Sequence, residues 1–281
     1  MTTTSRPHNV RPFLKMHGLG NDFVIFDGRQ TPLDLSVAQA RAVADRKRGV
    51  GCDQIITLQP SSVGQIFMRI QNADGSEVDA CGNATRCVAR LIMDEMGTDN
   101  TTIETGAGLL RAARQDNLIT VDMGIPKLGW SDIPLAREND TLHVDFQCAM
   151  LSDPVAVNVG NPHVVFFVDN IATIPLEDLG PQIEHDALFP ERVNVSIAEV
   201  KSRDNIILRV WERGAGITEA CGTAACATIV AASLRGLVDR VATVNLAGGV
   251  LNMSWDDHDH IHMTGPATPT FMGEVFLREG P

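Results

Sequence analysis

Hydrophobic positions along the chain predict strands and helices in the same order in both halves. Alternating or fully apolar segments indicate two strands in each half. The predicted strands span 23–26 and 65–71 in the first half, and 163–168 and 205–211 in the second. A polar turn, a Cys-Gly pair and a helix-forming segment follow each second strand. Because glycine is typical just past the end of a helix, we expect the helices to span 84–96 and 224–235.

The second predicted helix, AACATIVAASL, has almost no polar face. A helix that is apolar on all sides has to be buried. We therefore expect an α/β (α+β) fold, in which each half forms a curled mixed or antiparallel sheet around a central helix.

The two halves also repeat one another in sequence at a constant offset of 140 residues. The segment ACGNATRC at 80–87 returns as ACGTAACA at 220–227, and GNDFVIF in the first half aligns with GNPHVVF in the second. The same offset places Asn72 opposite Glu212. Such a duplication predicts two similar domains related by a pseudo-two-fold axis.

The end of the chain is expected to belong to the first domain. Segment 265–277 predicts a strand and has no counterpart from position 125 onward, so we expect it to return to the first sheet. The first domain would then combine 1–124 with 266–281, and the second would span 125–265. The Gly/Pro-containing segment VDMGIPKLGW at 121–130 is expected to connect them.

Composition narrows the classes of function. The 281 residues carry a net charge of −12, with 5% aromatic residues and no Tyr, which disfavours binding to nucleic acid or to an anionic membrane. There is no long apolar run and no signal-peptide pattern, so we expect a cytoplasmic protein. The cysteines do not have disulfide-scaffold spacing, and we interpret Cys52 and Cys148 as structural. No dinucleotide fingerprint occurs, because Phe23 stands at the third glycine position.

The two repeated Cys-Gly pairs are the strongest chemical signal. A helix N-terminus presents unpaired N–H groups and a partial positive charge, so it binds carboxylates and favours a thiolate. Gly82 and Gly222 permit close approach of a ligand, and Cys81 and Cys221 supply two sulfurs. Two opposed sulfurs around one carboxylate suggest proton transfer, in which one removes an α-proton and the other delivers a proton to the opposite face.

A protein of a different class remains possible on these residues alone. Cysteines can also serve a zinc-stabilised or redox-sensing binding module. The spacing of Cys87 and Cys226 from the repeated cysteines does not suit a metal site. Three alternating histidines at 258–262 are interpreted as a solvated strand face. We therefore expect no metal.

The motifs together resemble one family, the diaminopimelate epimerases. The resemblance rests on HGLGNDF, GVGCDQ, NADGSEVDACGNATRC, VGNPHVVF, FPERVNV and VWERGAGITEACGTAAC, in this order across nearly the whole chain. It implies interconversion of LL- and meso-2,6-diaminopimelate, on the route to lysine and peptidoglycan, without pyridoxal phosphate or any other cofactor. It also implies two α/β domains with the active site in a cleft, and a homodimer.

The resemblance assigns roles by position. Cys81 and Cys221 would be the acid and base, and His163 and Glu212 would each assist one of them. The substrate-binding residues would be Asn21, Gln54, Asn72, Gly82, Asn83, Asn161, Asn194, Arg213, Gly222 and Thr223. Arg213 is a natural carboxylate partner because its planar guanidinium can contact both oxygens.

This chain departs from the family pattern at Ala84 and Ala224, where glycine is usual. The departure leaves open the detailed backbone conformation at the start of each helix. The alternative within the same fold is another cofactor-independent racemase, of the proline or hydroxyproline type, which would not need the asparagine-rich pocket.

Overall fold

The computed structural model describes residues 10–277, so the outermost parts of the predicted first domain, 1–9 and 278–281, lie outside the described residues. The chain forms two compact units. Unit 1 contains the described residues up to Ile119 together with those from Pro266 onward, and unit 2 contains Thr120–Gly265. The change of unit precedes the predicted junction after residue 124, because the strand Leu118–Asp122 pairs with Ile261–Gly265 of unit 2.

Unit 1 is a mixed sheet with two helices. Its strands are β1 (Val10–Gly18), β2 (Asn21–Asp27), β3 (Gln54–Gln59), β4 (Ile66–Asn72), β5 (Glu77–Val78), β6 (Asn100–Thr105), β7 (Gly108–Gln115) and the last strand of the chain, β19 (Thr268–Phe276). Its helices are α1 (Val37–Ala44) and α2 (Gly82–Met96).

The strands of unit 1 lie in the order β19, β1, β2, β3, β4, β6, β7. Two neighbouring pairs, β2 with β3 and β4 with β6, are parallel, and the others are antiparallel. β19 pairs with β1, which confirms that segment 265–277 returns to the first sheet.

Unit 2 repeats this arrangement. Its strands are β8 (Leu118–Asp122), β9 (Gln147–Cys148), β10 (Leu151–Ser152), β11 (Val155–Asn158), β12 (Pro162–Phe167), β13 (Asn194–Ser202), β14 (Asn205–Glu212), β15 (Gly216–Ile217), β16 (Val241–Leu246), β17 (Gly249–Trp255) and β18 (Ile261–Gly265). Its helices are α3 (Leu176–Glu184) and α4 (Gly222–Leu234), with a short 3₁₀ turn at Ile171–Thr173.

The main sheet of unit 2 runs β11, β12, β13, β14, β16, β17, β18, β8, with β9 and β10 as a separate hairpin. From β11 to β17 the sequence of antiparallel and parallel pairs matches that from β1 to β7. The register is conserved too: Phe23 lies opposite Gln54, and His163 lies opposite Asn194 at the same 140-residue offset. The predicted duplication is therefore a duplication of strand pairing as well as of sequence.

Helix α4 is buried as its composition predicts. It packs against β11, β12, β13, β16, β17 and β18, and its residues from Ala224 to Ala232 are inaccessible to solvent. α2 is also largely buried, and it ends at Gly97 in the left-handed conformation that glycine favours. The predicted fold class is confirmed for each unit. Both helices begin earlier than predicted, at Gly82 and Gly222, because each cysteine is itself the N-cap.

Two features differ from expectation. Helices α1 and α3 are not among the predicted elements. The alternating histidines do not share one strand, because His258 lies in the turn before β18, whereas His262 lies in the strand. His260 Nδ1 lies 2.8 Å from Asp122 Oδ1 and His262 Nε2 lies 2.8 Å from Asp256 Oδ2, so both rings make specific hydrogen-bond contacts that alternation alone does not reveal.

Candidate active site

In unit 1, Cys81 lies between a polar turn and the first residue of α2. Its backbone is extended (φ −150°, ψ 111°), as is usual for an N-cap, so the chain enters the helix at Gly82. The Cys81 thiol donates to Asn21 Oδ1 at 3.8 Å. Asn21 is the first residue of β2, so this contact joins the start of β2 to the start of α2.

A chain of hydrogen bonds fixes the amide groups beside Cys81. Arg86 Nη2 donates to Asn83 Oδ1 at 2.8 Å, Asn83 Nδ2 donates to Asn21 Oδ1 at 3.2 Å, and Asn21 Nδ2 donates to Asp53 Oδ2 at 2.9 Å. A guanidinium can only donate and a carboxylate only accept, so the two ends dictate which atom of each amide faces which neighbour. The oxygen of Asn21 is consequently the atom that faces the Cys81 thiol.

Two more predicted residues of unit 1 are joined at adjacent strand positions. Gln54 on β3 lies opposite Asn72 on β4, and Gln54 Nε2 donates to Asn72 Oδ1 at 3.0 Å. Asn72 Nδ2 in turn donates to Ser76 Oγ at 3.1 Å. These contacts orient both amides at the strand ends.

In unit 2, Cys221 has the corresponding place at the start of α4, and it is 5% exposed. Its Sγ lies 3.4 Å from Thr223 Oγ1, and Asn161 Nδ2 donates to the same hydroxyl at 3.4 Å. At the 140-residue offset, Asn161 corresponds to Asn21 and Thr223 to Asn83. Asn21, the first residue of β2, and Asn161, the residue directly before β12, therefore lie near the two helix starts.

Glu212 is the acidic neighbour of Cys221. Burial is the largest cause that raises the pKa of the Cys221 thiol well above its ordinary value, and the negative charge of Glu212 adds to it. Thr218 Oγ1 donates a short hydrogen bond to Glu212 Oε1, which fixes the carboxylate at the end of β14. Cys221 is thus held in the protonated form at neutral pH.

His163 is fully buried on β12 and is held as a neutral ring. Burial is the main cause that lowers the pKa of His163 to about 3, and the positive charge of Arg213 contributes. Because the Asn161 amide donates through Nδ2, its Oδ1 accepts from His163 Nε2 at 2.9 Å. The proton of the neutral ring is therefore on Nε2, by assignment from the network. Among the described residues His163 Nδ1 has no partner, so it retains a buried lone pair.

Asn194 and Arg213 are joined through the backbone. Asn194 Nδ2 donates to Pro162 O at 2.9 Å, and Asn194 Oδ1 accepts from the Arg213 N–H at 2.9 Å. Arg213 Nη1 donates to Glu191 O at 3.0 Å. Asn161, Arg213 and Glu191 line a cavity of about 380 Å³ within unit 2.

The duplicated positions differ where chemistry is expected. Phe23 of unit 1 corresponds to His163, and Asn72 corresponds to Glu212. Unit 1 therefore carries an apolar ring and an amide where unit 2 carries an imidazole and a carboxylate. His163 and Glu212, the two residues to which the resemblance assigns an assisting role, both belong to unit 2.

Several neighbours of the site were missed by sequence reasoning. Arg86 is fully buried and Asp53 ends the amide chain of unit 1, while Thr218 and Glu184 contact the turn that carries Glu212. The only sequence signal for Arg86 is a charged residue directly before the apolar pair Cys87 and Val88 in a helix-forming segment. The partners of Glu184 and Asp53 are distant in sequence and leave no local pattern.

The remaining cysteines are separate from this chemistry. Among the described residues none of the six cysteines forms a disulfide, and Cys52, Cys87 and Cys226 are buried. Burial raises the pKa of Cys52 to about 11 and that of Cys87 to about 12. Between residues 10 and 277 there is no group of three histidine, cysteine or acidic side chains suited to hold a metal ion. Over the same range no helix is long and apolar enough to cross a membrane.

Comparison with known proteins agrees with the sequence motifs. The family profile of diaminopimelate epimerase matches residues 13–129 and 155–270, one segment in each half of the chain. The diaminopimelate epimerase of Rhodospirillum centenum is 54% identical over 269 residues, which cover 95% of this chain and 92% of that protein.

Solved structures share the fold at low sequence identity. A phenazine biosynthesis protein of the PhzF family from Bacillus anthracis has a TM-score of 0.68 at 18% identity, covering 95% of this chain and 99% of the other. A hydroxyproline epimerase from Agrobacterium vitis has a TM-score of 0.68 at 15% identity, covering 97% and 92%. The family profile and the close relative together show that this chain belongs to the diaminopimelate epimerase family.

Proposed function

We propose that this protein epimerises LL-2,6-diaminopimelate to the meso isomer by a two-base mechanism in which Cys81 and Cys221 act on one α-carbon. One thiolate takes the α-proton and becomes a thiol, and the opposite thiol gives its proton to the other face and becomes a thiolate. The centre inverts with no net change in protons. The observation that carries the proposal is the duplication of a cysteine N-cap in a chain of this family.

The helix starts would stabilise the reacting carboxylate. The N–H groups of Gly82, Asn83, Gly222 and Thr223 belong to the first turns of α2 and α4, where helices leave donors unpaired. Negative charge that builds up on the carboxylate as the α-carbon loses its proton would be balanced there. No cofactor is required for this stabilisation.

The environment of Cys221 indicates which cysteine donates a proton and which acts as the base in the resting enzyme. The burial of Cys221 and the adjacent Glu212 favour a thiol, so we assign Cys221 as the proton donor in the resting enzyme. Cys81 is then the resting base. We assign His163 as the second assisting residue beside Glu212, because its buried Nδ1 is an unprotonated acceptor.

The distal end of the substrate carries an ammonium and a carboxylate. We assign its recognition to Asn21, Gln54, Asn72, Asn161, Asn194 and Arg213. Arg213 is the cation of this set, and it lines the cavity of unit 2. A substrate with only one charged end would not need this set.

Solvent isotope incorporation tests the reaction. Wild-type protein incubated in heavy water with LL-diaminopimelate should incorporate deuterium at the α-carbon and yield the meso isomer, whereas L-proline should remain unlabelled. Cys81→Ser and Cys221→Ser should each lose about 10²–10⁴-fold in turnover. Cys148→Ser, a half-buried thiol elsewhere, is the matched control. Label in proline alone would replace this proposal with proline-type racemisation.

We further propose a cytoplasmic homodimer formed through β19. The strand exposes Phe271 (50%), Met272 (80%) and Phe276 (61%), an apolar set that a second copy of the same strand could cover. Six cysteines without a disulfide among the described residues are typical of a reducing compartment. Sedimentation velocity should give a dimer for wild-type protein and a monomer for Met272→Asp. A wild-type monomer at micromolar concentration would exclude the dimer.

A further inference from the structure

We propose that Glu184 is a positioning residue, which clamps the turn carrying Glu212 and Arg213 through both oxygens of its carboxylate. This inference deepens the proposed function, on which its kinetic part rests. Glu184 Oε2 accepts from Trp211 Nε1 at 2.7 Å, and Glu184 Oε1 accepts from the Gly214 N–H at 2.9 Å. The two donors lie immediately before Glu212 and immediately after Arg213.

The position of the Glu184 carboxylate is unfavourable for a negative charge. Glu184 is the last residue of α3 and is 2% exposed, and a helix C-terminus disfavours negative charge. The nearest cationic atom, Arg192 Nη1, is 3.8 Å from Oε1, and that arginine is half-exposed. A buried carboxylate needs hydrogen bonds to offset its desolvation, and here those bonds go to the turn rather than to the helix itself.

Helix α3 is shaped to receive Trp211. Gly180 lies one turn before Glu184 on the same helix face. A Cβ atom on Gly180 would lie 2.5 Å from Cγ and Cδ2 of Trp211. The absence of a side chain at Gly180 lets the indole lie flat against the helix, from which Nε1 reaches the Glu184 carboxylate. The position of the indole and the position of the carboxylate therefore depend on each other.

The turn is held at successive backbone donors. The Arg213 N–H goes to Asn194 Oδ1 and the Gly214 N–H goes to Glu184 Oε1, both at 2.9 Å. Gly214 has φ 77°, which a residue with a side chain rarely adopts. Asn194 and Glu184 thus fix the backbone of the turn. The directions in which the Glu212 and Arg213 side chains extend depend on these two acceptors.

The duplication supplies an internal comparison. At the 140-residue offset, Glu184 corresponds to Ala44 and Trp211 to Gln71. Gln71 Nε2 donates to Leu35 O at 3.2 Å, so that position is used differently in unit 1. The corresponding turn of unit 1 carries Asn72 and no ionisable assistant. The carboxylate clamp therefore occurs in the unit whose turn bears Glu212 and Arg213.

Glu184→Gln separates the clamp from mere packing. Both oxygens of Glu184 face N–H donors, so a glutamine has to turn its NH₂ group toward one of them and loses that bond. We expect kcat/KM for LL-diaminopimelate to fall about 10²-fold, with KM rising because Arg213 is displaced. Glu177→Gln, the same change at an exposed site on α3, is the matched control and should stay near wild type.

A second measurement does not need the substrate. The rate of Cys221 alkylation by iodoacetamide, followed by peptide mass spectrometry, reports the thiolate fraction. Displacement of Glu212 from Cys221 by Glu184→Gln should raise this rate about tenfold at fixed pH, equal to a one-unit fall in the pKa of the thiol. If the wild type does not epimerise diaminopimelate, the proposed function fails, but the alkylation rates still test the clamp.

Two further variants complete the test. Trp211→Phe keeps the ring and removes the indole donor, so it should raise the alkylation rate in the same direction with little loss of fold. In Glu184→Gln/Trp211→Phe the glutamine NH₂ no longer faces a donor, so kcat/KM should recover relative to Glu184→Gln alone. The clamp is refuted if folded Glu184→Gln has the same KM and the same alkylation rate as Glu177→Gln. If Glu184→Gln does not fold, the same comparison is made with Trp211→Phe.

Discussion

Replacement of Arg86 by leucine should destabilise unit 1 far more than an ordinary surface change. Arg86 is fully buried, and it donates to Asn83 Oδ1 at 2.8 Å and to Pro266 O at 3.2 Å. The packing is tight, because a Cβ atom on Gly18 would lie 2.9 Å from Arg86 Nη2. Leucine would leave the buried Asn83 oxygen and the half-buried Pro266 carbonyl without this donor.

The magnitude follows from the two bonds. Hydrogen bonds to a charged group contribute about 1.5–3 kcal/mol each, and loss of one partner from a buried ionic site costs about 3–5 kcal/mol. We expect a loss of about 3–4 kcal/mol in the free energy of unfolding, since removal of the buried charge offsets part of the cost. For a chain of this size the melting temperature should fall by roughly 5–7 °C.

Urea titration followed by far-UV circular dichroism measures this loss. Arg90→Leu is the matched control, because Arg90 is on the same helix and donates to Ala267 O at 2.6 Å but has a side chain that is one-third exposed. Water can replace that donor, so the control should lose about 1 kcal/mol. Tryptophan fluorescence reports separately on the unfolding of unit 2, since Trp130, Trp211 and Trp255 all lie in that unit.

Equal stabilities of the two leucine variants would refute the reasoning. In that case the bonds of the buried Arg86 would contribute no more to stability than the bond of the one-third-exposed Arg90. Loss of stability in Arg86→Leu with unchanged turnover per folded molecule would show instead that the chain from Arg86 to Asn21 is structural and does not orient the amides beside Cys81.

Three other predictions follow from the site. The pKa of His163 is lowered to about 3, so the unfolded state binds an additional proton below pH 6.5 and stability is lost as the pH falls. The loss should be about 2 kcal/mol between pH 6.5 and pH 5. Calorimetry should find this pH dependence in the wild type and not in His163→Phe. Glu212→Gln should lower the pKa of the Cys221 thiol, measured as faster alkylation at pH 8, and an unchanged rate would exclude the assigned electrostatic role. Gly180→Ala places a Cβ atom 2.5 Å from Trp211 Cδ2 and should cost about 1–3 kcal/mol, with a change in tryptophan emission; a variant as stable as wild type would contradict the observed packing.

Sequence alone predicted the parts of the fold that are local or repeated. Hydrophobic periodicity located β2, β4, β12 and β14, and the glycines after α2 and α4 marked where these helices end. The 140-residue repeat then predicted equivalent strand pairing, which the registers of Phe23 and His163 confirm. Helices α1 and α3 are short, with eight and nine residues, so their periodicity covers little more than two turns. In α3 the apolar stripe of Leu176, Leu179 and Ile183 is also interrupted by Gly180 and Pro181, which are typical of turns.

The site was less accessible to sequence reasoning. Each cysteine could be placed from its Cys-Gly motif, since an N-cap is a local feature. The partners Arg86, Asp53 and Glu184 could not be found in this way, because each contacts residues that are far along the chain and are brought near by the fold. A charge in an apolar segment signals that a partner exists, but the fold decides which one.

The position of β19 has a consequence for how the protein is made. Unit 2 is one continuous stretch, whereas the sheet of unit 1 receives β19 beside β1 only after Thr120–Gly265 has been synthesised. On the ribosome, the unit that starts first therefore finishes last, in contrast to the usual N-terminal-first order. During that interval β1 lacks one neighbour and Arg86 lacks the carbonyl of Pro266, so nascent unit 1 exposes a strand edge that the last strand eventually covers.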